Sequence, residues 1–326
     1  MRPGPAETGP LELVTEEVPA PGDKELLLEV SACGVCRTDL HVSEGDLPVH
    51  KRGVVPGHEV VGRVVARGRG CKRFSIGRRA GIPWLRRTCG ACEQCLRGAE
   101  NFCRSPAFTG WDEDGGYAEY ATVPEDYAYE LPDEIDDVHA APLLCAGIIG
   151  YRALKRAALP RGGRLGIYGF GGSAHIACQV ALHEGATVHV VTRTEAARRL
   201  ALELGAASAN PPGASLPERL DAAVLFAPAG ELVPRALEAL APGGRLSIAG
   251  IHLSAIPELD YERHLFYERE IVSVTANTRV DGREFLALAA RIPVRTAVTP
   301  YGFEDAPRAL VDLAGGRVRG AAVLQM

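Results

Sequence analysis

Four of the nine cysteines in this chain lie within fifteen residues. Their spacing is C-x2-C-x2-C-x7-C, in the stretch RTCGACEQCLRGAENFCRS, and they are Cys89, Cys92, Cys95 and Cys103. Four thiolates so close together can close a tetrahedral shell around Zn2+, which is the geometry of structural zinc sites. Gly90 and Gly98 lie between them and permit the sharp turns of a small metal-bound loop. We therefore predict a structural zinc at these four cysteines.

Disulfides are the alternative for the same cysteines, and the rest of the sequence bears on that choice. The N-terminal stretch MRPGPAETGPLELVTEEV lacks the apolar core of a signal peptide, and no stretch approaches the length of a membrane helix. We therefore expect a cytoplasmic, reduced chain, and reduced cysteine clusters are more often metal or catalytic sites than disulfides.

The charge balance bears on the kind of partner. The chain has 36 Lys and Arg against 41 Asp and Glu, for a formal net charge of −5. A nucleic-acid-binding zinc protein is an alternative class, because Arg86, Arg87, Arg97 and Arg104 lie in or beside the four-cysteine segment. A chain with a net negative charge lacks the excess of basic residues that is typical of nucleic-acid-binding proteins. We expect a small-molecule substrate, with neither a nucleic-acid nor a membrane partner.

The hydrophobic pattern changes near residue 140, and the length of 326 residues also suggests two domains. Before that point, apolar β-branched runs such as KELLLEVSACGVC end in turn signals and indicate a β-rich domain. From residue 162, apolar strands alternate with helices, the pattern of a doubly wound parallel sheet. The stretch DDVHAAPLLCAGIIGYRALKRA predicts one buried helix, with Asp136 or Asp137 near its start. The C-terminal RGAAVLQM predicts a strand that returns to the first domain.

A glycine-rich turn in LGIYGFGGSAHIA follows the first strand of the alternating region. Its pattern is G-x-G-x-x-A, in which one glycine makes the turn and another lets the backbone approach a pyrophosphate. The following helix N-terminus offers free N–H groups to the phosphates. The alternative is a glycine-rich packing turn. The residues predicted to bind a dinucleotide here are Gly169, Gly171, Gly172, Ser173 and Ala174.

The end of the next strand predicts which dinucleotide binds. NAD sites usually place Asp or Glu there to hold the ribose 2′-OH. Here TVHVVTRTEAARR places Thr192 and Arg193 at that point, and the next carboxylate is Glu195. Thr192 can hydrogen-bond a 2′-phosphate and Arg193 can pair with it. NADP is therefore favoured over NAD, with a solvated loop charge as the alternative for Arg193.

Cys36, His58 and Cys145 lie far apart, so spacing alone cannot make them a site. Their surroundings nevertheless carry a resemblance. GHEVVGRVVARGRGC resembles the G-H-E-x2-G-x5-G signature of zinc-dependent alcohol dehydrogenases of the medium-chain dehydrogenase/reductase superfamily. CGVCRTDLH resembles their catalytic-zinc loop, and the four-cysteine segment resembles their structural-zinc lobe. The resemblance covers essentially the whole chain and is nearest to the shorter bacterial and yeast-like members.

The resemblance implies a two-domain α/β fold. A GroES-like, β-rich catalytic domain would span residues 1–146 and 278–326, with the structural-zinc lobe at about 86–105. A Rossmann domain with a doubly wound parallel sheet would span 147–277, and the active site would lie between the two. Two zinc ions per chain are implied. The catalytic zinc would be held by Cys36, His58 and Cys145, which leaves one position open.

The resemblance also assigns roles around that zinc. Glu59 would lie behind the metal, and Asp39 would orient the His58 ring. Thr38 would contact the substrate oxygen and pass its proton through the cofactor ribose to His41 at the surface.

Four more positions are implied as contacts to cofactor and substrate. Arg37 and Arg319 would contact the pyrophosphate. Trp84 would line the substrate pocket, with a core position as its alternative, and Ile149 would shape the pocket near the nicotinamide. Cys33, Cys71 and Cys178 match no ligand position and are expected to pack.

The implied activity is hydride transfer between NADP(H), or NAD(H), and a primary or secondary alcohol or its aldehyde or ketone. An NAD-dependent polyol dehydrogenase of the same fold is the enzymatic alternative, and a dinucleotide-binding sensor is the non-enzymatic one. A zinc-free quinone or enoyl reductase is disfavoured, because all three catalytic ligand positions are filled. A homo-oligomer is expected, with a tetramer favoured over a dimer.

Overall fold

The computed structural model describes residues 4–326, which form two compact units. The first unit contains the described residues up to Cys145, together with Ala276–Arg291 and Arg295–Met326. The second contains Ala146–Thr275 and Ile292–Val294. Among residues 4–326, none of the helices combines the length and the apolar character that a membrane crossing requires.

The N-terminal part of the first unit is mostly strands joined by long loops. Short 3-10 helices lie at Ala6–Thr8, Glu100–Phe102 and Ala141–Leu144. The other elements, in chain order, are β1 Glu25–Val35, α1 Arg37–Glu44, β2 Glu59–Arg67, β3 Arg79–Ile82, β4 Leu85–Arg87, α2 Glu93–Leu96, β5 Ala107–Phe108, β6 Tyr120–Pro124 and α3 Asp137–Ala140.

The second unit alternates helices and strands. Its elements are α4 Ala146–Ala157, β7 Arg164–Tyr168, α5 Gly172–His183, β8 Thr187–Val191, α6 Glu195–Glu203, β9 Ser208–Asn210, β10 Leu220–Leu225, α7 Leu232–Ala239, β11 Leu240–Ile248, α8 Tyr261–His264 and β12 Glu270–Ser273. The strands pair in parallel in the order β12-β11-β10-β7-β8-β9. This is the predicted doubly wound sheet, with its change of direction between β10 and β7.

The chain ends in the first unit, with α9 Arg279–Ala289, β13 Val298–Gly302, a 3-10 helix at Phe303–Asp305, α10 Ala306–Ala314 and β14 Ala321–Gln325. The strand order of this unit's sheet is β13-β14-β1-β2-β3, and β6 also pairs with β1. β1 is long enough for β6 to pair with Glu25–Glu29 and β14 with Ala32–Val35. The predicted return of the C-terminal strand to the first domain is thus confirmed.

Strands β1 and β2 of the first sheet carry exposed positions, whereas β7 and β8 of the second sheet are almost continuously buried. On β1 of the first sheet, Leu26, Leu28 and Val30 are buried against the unit's core, whereas Glu29 is exposed. On β7 of the second sheet, Leu165 and Ile167 are fully buried in a continuous apolar run. Continuous burial is expected when helices cover both faces of a parallel sheet.

The prediction of one helix across the boundary between the units is wrong. Asp136 caps α3, and its side chain accepts a hydrogen bond from the backbone N–H of His139. The chain then forms the 3-10 turn Ala141–Leu144 and leaves helical geometry at Cys145, where φ is −126° and ψ is −70°. Pro142 cannot donate a helical hydrogen bond, and it is the signal in the sequence that indicates the break.

An ion pair ties the four-cysteine segment to the start of α9. The Arg279 guanidinium donates to both carboxylate oxygens of Glu100, with Nη2 2.7 Å from Oε2. The same guanidinium lies 4.5 Å from the centre of the Tyr127 ring. The Tyr127 hydroxyl in turn accepts a hydrogen bond from the backbone N–H of Thr88. Although burial raises the pKa of Glu100, the hydrogen bonds from Arg279 outweigh it and lower that pKa.

We predict that Glu100→Gln lowers the free energy of unfolding by about 2 kcal/mol near pH 7, because Arg279 loses its charged partner. A carboxylate whose pKa is lowered by folding stabilises the protein above its unfolded pKa. That stability is lost as the pH falls through the folded pKa. The difference between variant and wild type should therefore shrink below about pH 4.3. Urea unfolding of the variant and the wild type at several pH values measures this difference in the free energy of unfolding.

Glu93→Gln is the matched control, because Glu93 lies in the same segment but forms an exposed pair with Arg97. Its effect on the free energy of unfolding should stay below about 0.5 kcal/mol. Equal effects of the two substitutions, or a Glu100→Gln deficit that does not change with pH, would contradict the prediction.

Candidate metal centres and dinucleotide turn

The first unit brings together Cys36, His58, Glu59 and Cys145, whose ligand atoms all lie within 4.8 Å of one another. Cys36 caps α1, His58 and Glu59 lie at the start of β2, and Cys145 occupies the break before α4. The Cys36 and Cys145 sulfurs are 3.8 Å apart, although 109 positions separate the two residues. The fold thus assembles three separate segments into one cluster.

One ring nitrogen of the buried His58 has no hydrogen-bond partner among the described residues. Its side chain is almost completely buried, and its Nδ1 lies 2.9 Å from Oδ1 of Asp39. The carboxylate favours a proton on Nδ1, so the lone pair is on Nε2. Nε2 is buried and has no hydrogen-bond partner among the described residues. A buried polar atom without a partner is costly, and an imidazole nitrogen beside two sulfurs is a donor set that suits Zn2+. The residues therefore fit a zinc ion.

The electrostatics of the cluster point the same way. A hydrogen bond from the Cys145 thiol lowers the pKa of Cys36 well below its usual value, and the same bond raises the pKa of Cys145. Burial lowers the pKa of His58, but the Asp39 carboxylate outweighs it and raises that pKa above its usual value. The site thus stabilises a thiolate and a positive charge side by side. A divalent cation bound to thiolates meets the same demand.

Glu59 lies against the backbone of β1 and is almost completely buried. A Cβ added at Gly34 would come within 1.8 Å of the Glu59 carboxyl, so this arrangement requires glycine at position 34. Burial raises the pKa of Glu59 well above its usual value.

Asp39 is the acceptor that organises the loop before β2. Its Oδ2 accepts from the backbone N–H of Cys36 at 2.8 Å, and its Oδ1 accepts from that of Gly57 at 3.1 Å. Its bond to His58 completes the set. Asp39 therefore connects the cap of α1 to a ring that follows it by 19 positions.

Thr38 and His41 lie on the same helix as Asp39. Thr38 is buried, with its hydroxyl 3.7 Å from the Cys36 sulfur. His41 is half-buried, and its Nδ1 lies 2.8 Å from the Asp46 carboxylate. Asp46 is not among the residues predicted from the sequence. The left-handed Gly45 that ends α1 is the signal that turns Asp46 back toward His41.

The sulfurs of Cys89, Cys92, Cys95 and Cys103 also lie within 4.8 Å of one another. All nine cysteines are free thiols, and the Cys92 and Cys95 sulfurs are 3.5 Å apart, well beyond a disulfide bond length. Backbone N–H groups point at this cluster: that of Cys92 donates to Cys89, and that of Cys89 to Cys103. A backbone hydrogen bond from Cys95 lowers the pKa of Cys92 to about 6. The cluster fits a closed four-thiolate zinc site.

The glycine turn of the second unit is shaped for a phosphate. Gly169 has a left-handed φ of +87°, and a Cβ there would come within 2.8 Å of the Ala227 nitrogen. A Cβ added at Gly171 would meet nothing within 4 Å, so the turn faces open space at the N-terminus of α5. Gly172 and Ser173 form the first turn of α5, where Ala174 is fully buried. The turn therefore fits a pyrophosphate.

Thr192 and Arg193 follow β8 directly, and Arg193 is exposed. No ion pair links Arg193 to an acidic side chain anywhere in residues 4–326. Glu195 instead pairs with Arg199 one helical turn later. Arg198, which the sequence did not single out, donates to the carbonyls of both Thr192 and Arg193 at 3.1 and 2.7 Å and so orders this turn.

The other predicted site residues are spread over both units. Arg37 is the exposed first residue of α1, and Arg319 is exposed in the turn before β14. Ile149 is half-buried in α4 of the second unit. Trp84 is brought to the metal cluster: its ring lies edge-on to His58, with the centroids 5.0 Å apart.

Comparisons with known proteins agree with both units. The protein-family model of the alcohol dehydrogenase GroES-like domain matches residues 22–133. The family model of the zinc-binding dehydrogenase matches residues 172–291. The probable alcohol dehydrogenase AdhA of Mycobacterium tuberculosis is 59% identical over 99% of this chain and 95% of its own length.

Two solved structures share the fold over almost the whole chain. A cinnamyl alcohol dehydrogenase from Sorghum bicolor has a TM-score of 0.90 at 27% identity, covering 99% of this chain and 96% of its own. CAD from Helicobacter pylori, complexed with NADP(H), has a TM-score of 0.85 at 25% identity, covering 94% and 92%. The predicted fold class, GroES-like plus Rossmann, is confirmed.

We predict that Asp39→Asn weakens metal binding at the Cys36–His58–Cys145 cluster by about 10- to 100-fold, because the amide loses the charge that orients His58. Competition with a chromophoric chelator measures the affinity. Asp46→Asn is the matched control, because Asp46 also bonds a histidine but lies outside the cluster. Equal metal affinity in the Asp39→Asn variant and the wild type would refute the assigned role of Asp39.

Proposed function

The chain belongs to the zinc-binding alcohol dehydrogenases of the medium-chain dehydrogenase/reductase superfamily, and on that basis we propose its reaction and the residues that perform it. The reaction is hydride transfer between NADP(H) and a primary or secondary alcohol, or the corresponding aldehyde or ketone. The observation that carries the proposal is the convergence of Cys36, Cys145 and the unpartnered Nε2 of His58.

We propose two zinc ions per chain. Cys36, His58 and Cys145 would hold the catalytic one, and this number of protein ligands is typical of a site with an open position. There zinc supplies Lewis-acid chemistry to the oxygen of the alcohol or carbonyl. The four-cysteine segment would hold a structural zinc, because its four thiolates leave no position for substrate.

The side chains around the catalytic cluster divide the remaining work. Asp39 keeps the His58 ring in orientation through the Nδ1 hydrogen bond. Thr38, with its hydroxyl beside the Cys36 sulfur, would exchange the proton of the substrate oxygen. His41 is half-buried and bonded to the exposed Asp46, so it would exchange that proton with solvent. Glu59 would remain behind the ligands.

The nicotinamide supplies the hydride acceptor or donor. We assign the pyrophosphate to the turn Gly169–Ala174, with Arg37 and Arg319 as further contacts. The 2′-phosphate is assigned to Thr192 and Arg193. The exposed Arg193, which forms no ion pair with an acidic side chain among residues 4–326, supports NADP. Ile149 and Trp84 are assigned to the substrate pocket.

We also propose a domain organisation and an oligomeric state. Residues 1–146 and 278–326 are assigned to catalysis, and residues 147–277 to dinucleotide binding. A cytoplasmic homotetramer is proposed, with a dimer as the alternative. Exposed apolar side chains at Ile251, Ile256 and Tyr261 support self-association.

The proposal predicts chelator-sensitive oxidation of NADPH with aliphatic and aromatic aldehydes, faster than oxidation of NADH. Arg193→Gln should lower the ratio of the kcat/KM values for NADPH and NADH by about tenfold, because a charge-assisted contact to phosphate is lost. Initial rates measured with both cofactors test this. Arg199→Gln is the control, because Arg199 is tied to Glu195 on the same helix.

Three outcomes separate the parts of the proposal. Chelator-sensitive turnover with a preference for NADH would keep the zinc chemistry and overturn the cofactor assignment. Turnover that survives removal of zinc would overturn the metal assignment. Absence of turnover with every aldehyde, despite bound zinc, would favour the polyol or sensor alternatives.

We further predict that Cys92→Ser reduces the zinc content from about two to about one ion per chain and lowers the thermal midpoint. The four-cysteine loop has little core of its own: in α2 no residue is buried. Metal analysis and thermal unfolding measure the two effects. Cys71→Ser is the control, because Cys71 lies outside both clusters. A stable Cys92→Ser variant that keeps both ions would contradict the assignment, and so would one that loses both.

A further inference from the structure

The connection between β9 and β10 leaves part of the second sheet without a helix over it. β9 lies at one edge of this sheet, and residues 211–219 lead from it past β8 and β7 to β10. Connections between parallel strands usually contain a helix that packs on the sheet. Residues 211–219 contain none. The face of the sheet beneath them is therefore covered by a loop alone.

A cavity of about 1000 Å³ lies beside this loop. Residues 213–219, α7 and α8 surround it, and Tyr168 and Val191, at the ends of β7 and β8, also line it. The volume is at the upper end of the range for small-molecule pockets, about 300–1000 Å³. None of the described residues that we assign to the dinucleotide lines the cavity. The cavity is therefore large enough for an organic ligand other than the cofactor.

Tyr168 places a hydroxyl on the sheet side of the cavity. The residue is only 4% exposed, and among residues 4–326 its hydroxyl forms no hydrogen bond. Burial alone raises the pKa of Tyr168 above its usual value, so no charged side chain lies close to the hydroxyl. Gly166 makes room for the ring, because a Cβ there would come within 3.2 Å of Cε2 of Tyr168. A ligand group in the cavity can supply the missing hydrogen bond.

The carboxylates that line the cavity are already bonded to cationic or imidazole groups. Oε1 of Glu218 lies 3.1 Å from Nε2 of His189, and Oε2 lies 3.7 Å from the Arg164 guanidinium. The Glu238 carboxylate pairs with Arg263 and lies 3.3 Å from Nε2 of His264. These contacts offset the negative charge of both carboxylates, so an anionic ligand is not repelled.

Arg235 places a guanidinium on the loop side of the cavity. A Cβ added at Gly213 would come within 3.0 Å of Nη1 of Arg235, which locates the charged group beside the loop. Arg219 donates to the Glu238 carbonyl, whereas no ion pair links Arg235 to an acidic side chain in residues 4–326. A guanidinium without a partner suits a carboxylate, which can accept two parallel hydrogen bonds from it.

We propose that this cavity binds an amphiphilic carboxylate that carries a second hydrogen-bonding group remote from the carboxylate, such as a hydroxy or oxo fatty acid. The carboxylate pairs with Arg235, and the apolar body lies against Val191, Leu216 and Leu232. The remote group bonds the Tyr168 hydroxyl. This inference goes beyond the proposed alcohol dehydrogenase reaction and does not rest on it.

The test compares 8-hydroxyoctanoate, 10-hydroxydecanoate and 12-hydroxydodecanoate, each with the alkanoate of the same length. Isothermal titration calorimetry of the zinc-loaded full chain at saturating NADPH gives the dissociation constants. At the length that spans the cavity, the hydroxyalkanoate should bind about 2- to 12-fold more tightly, the range expected for one hydrogen bond. Tyr168→Phe should abolish this preference and retain the affinity for the alkanoate. Arg235→Gln should weaken both ligands about fivefold, the value for an exposed charge pair.

Arg161→Gln is the matched control, because Arg161 is an exposed arginine of the same unit that does not line the cavity. Its affinity for every ligand should equal that of the wild type. Hydrogen exchange of the wild-type chain locates the ligand without any variant. The tightest-binding hydroxyalkanoate should slow exchange at residues 213–219 and in α7.

Several results would overturn the inference and leave the proposed function standing. They are equal affinity of hydroxyalkanoate and alkanoate at every length, unchanged affinity in Arg235→Gln, and slowed exchange only outside residues 213–219 and α7. Loss of binding at saturating NADPH would assign the cavity to the cofactor and would also overturn it. Absence of binding by all the ligands would have the same consequence.

Discussion

The hydrogen bonds of the buried Asp39 carboxylate are the interactions on which the cluster of Cys36, His58 and Cys145 depends. It accepts hydrogen bonds from the backbone at Cys36 and Gly57 and from the ring of His58, so it joins the start of α1 to the start of β2. Without it, the backbone N–H of Gly57 and Nδ1 of His58 would be buried donors that need another acceptor. By fixing Nδ1 it also determines which nitrogen faces the two sulfurs, and the lone pair on that nitrogen is what fits the cluster to a metal ion.

The side chains of the two cysteine-containing clusters are held in position by different kinds of interaction. The cluster of Cys36, His58 and Cys145 lies at the ends of buried elements, so the sheet and helices position its ligands at large sequence separation. The four-cysteine segment has short spacing and an exposed surface, and its sulfurs are arranged mainly by local N–H groups. Such a segment would depend on the proposed zinc and on anchors such as Glu100–Arg279 to stay folded onto the unit.

This difference explains what could be predicted from the sequence. Local features could be predicted from the sequence. They are the four-cysteine spacing, the glycine turn at 169–174 and the alternation of strands and helices in the second unit. The proximity of Cys36 and Cys145 could not be predicted in this way, because no local pattern indicates a contact across 109 positions. Only the family resemblance implied it. The contacts of Asp46 with His41 and of Arg198 with the turn after β8 span only five or six positions, but no sequence pattern marks such side-chain contacts, so they were missed as well. The single predicted helix failed at Pro142 because apolar periodicity continues through a break that the proline imposes.

The short helix α1 carries residues proposed for metal binding and for proton movement. The sulfur of Cys36 accepts the N–H of Thr38 and so acts as the N-terminal cap of α1 as well as a proposed ligand. A helix N-terminus favours negative charge, so the cap and the positive end of the helix both stabilise the thiolate that a metal requires. The residues that follow then point to different surroundings: Thr38 to the sulfur, Asp39 to the buried His58 and His41 to the exposed Asp46. Helical geometry thus carries the chain in six residues from Cys36, a half-buried proposed ligand, to His41, which bonds the exposed Asp46. The roles proposed for these residues therefore occupy one contiguous stretch, while the other proposed ligands are scattered.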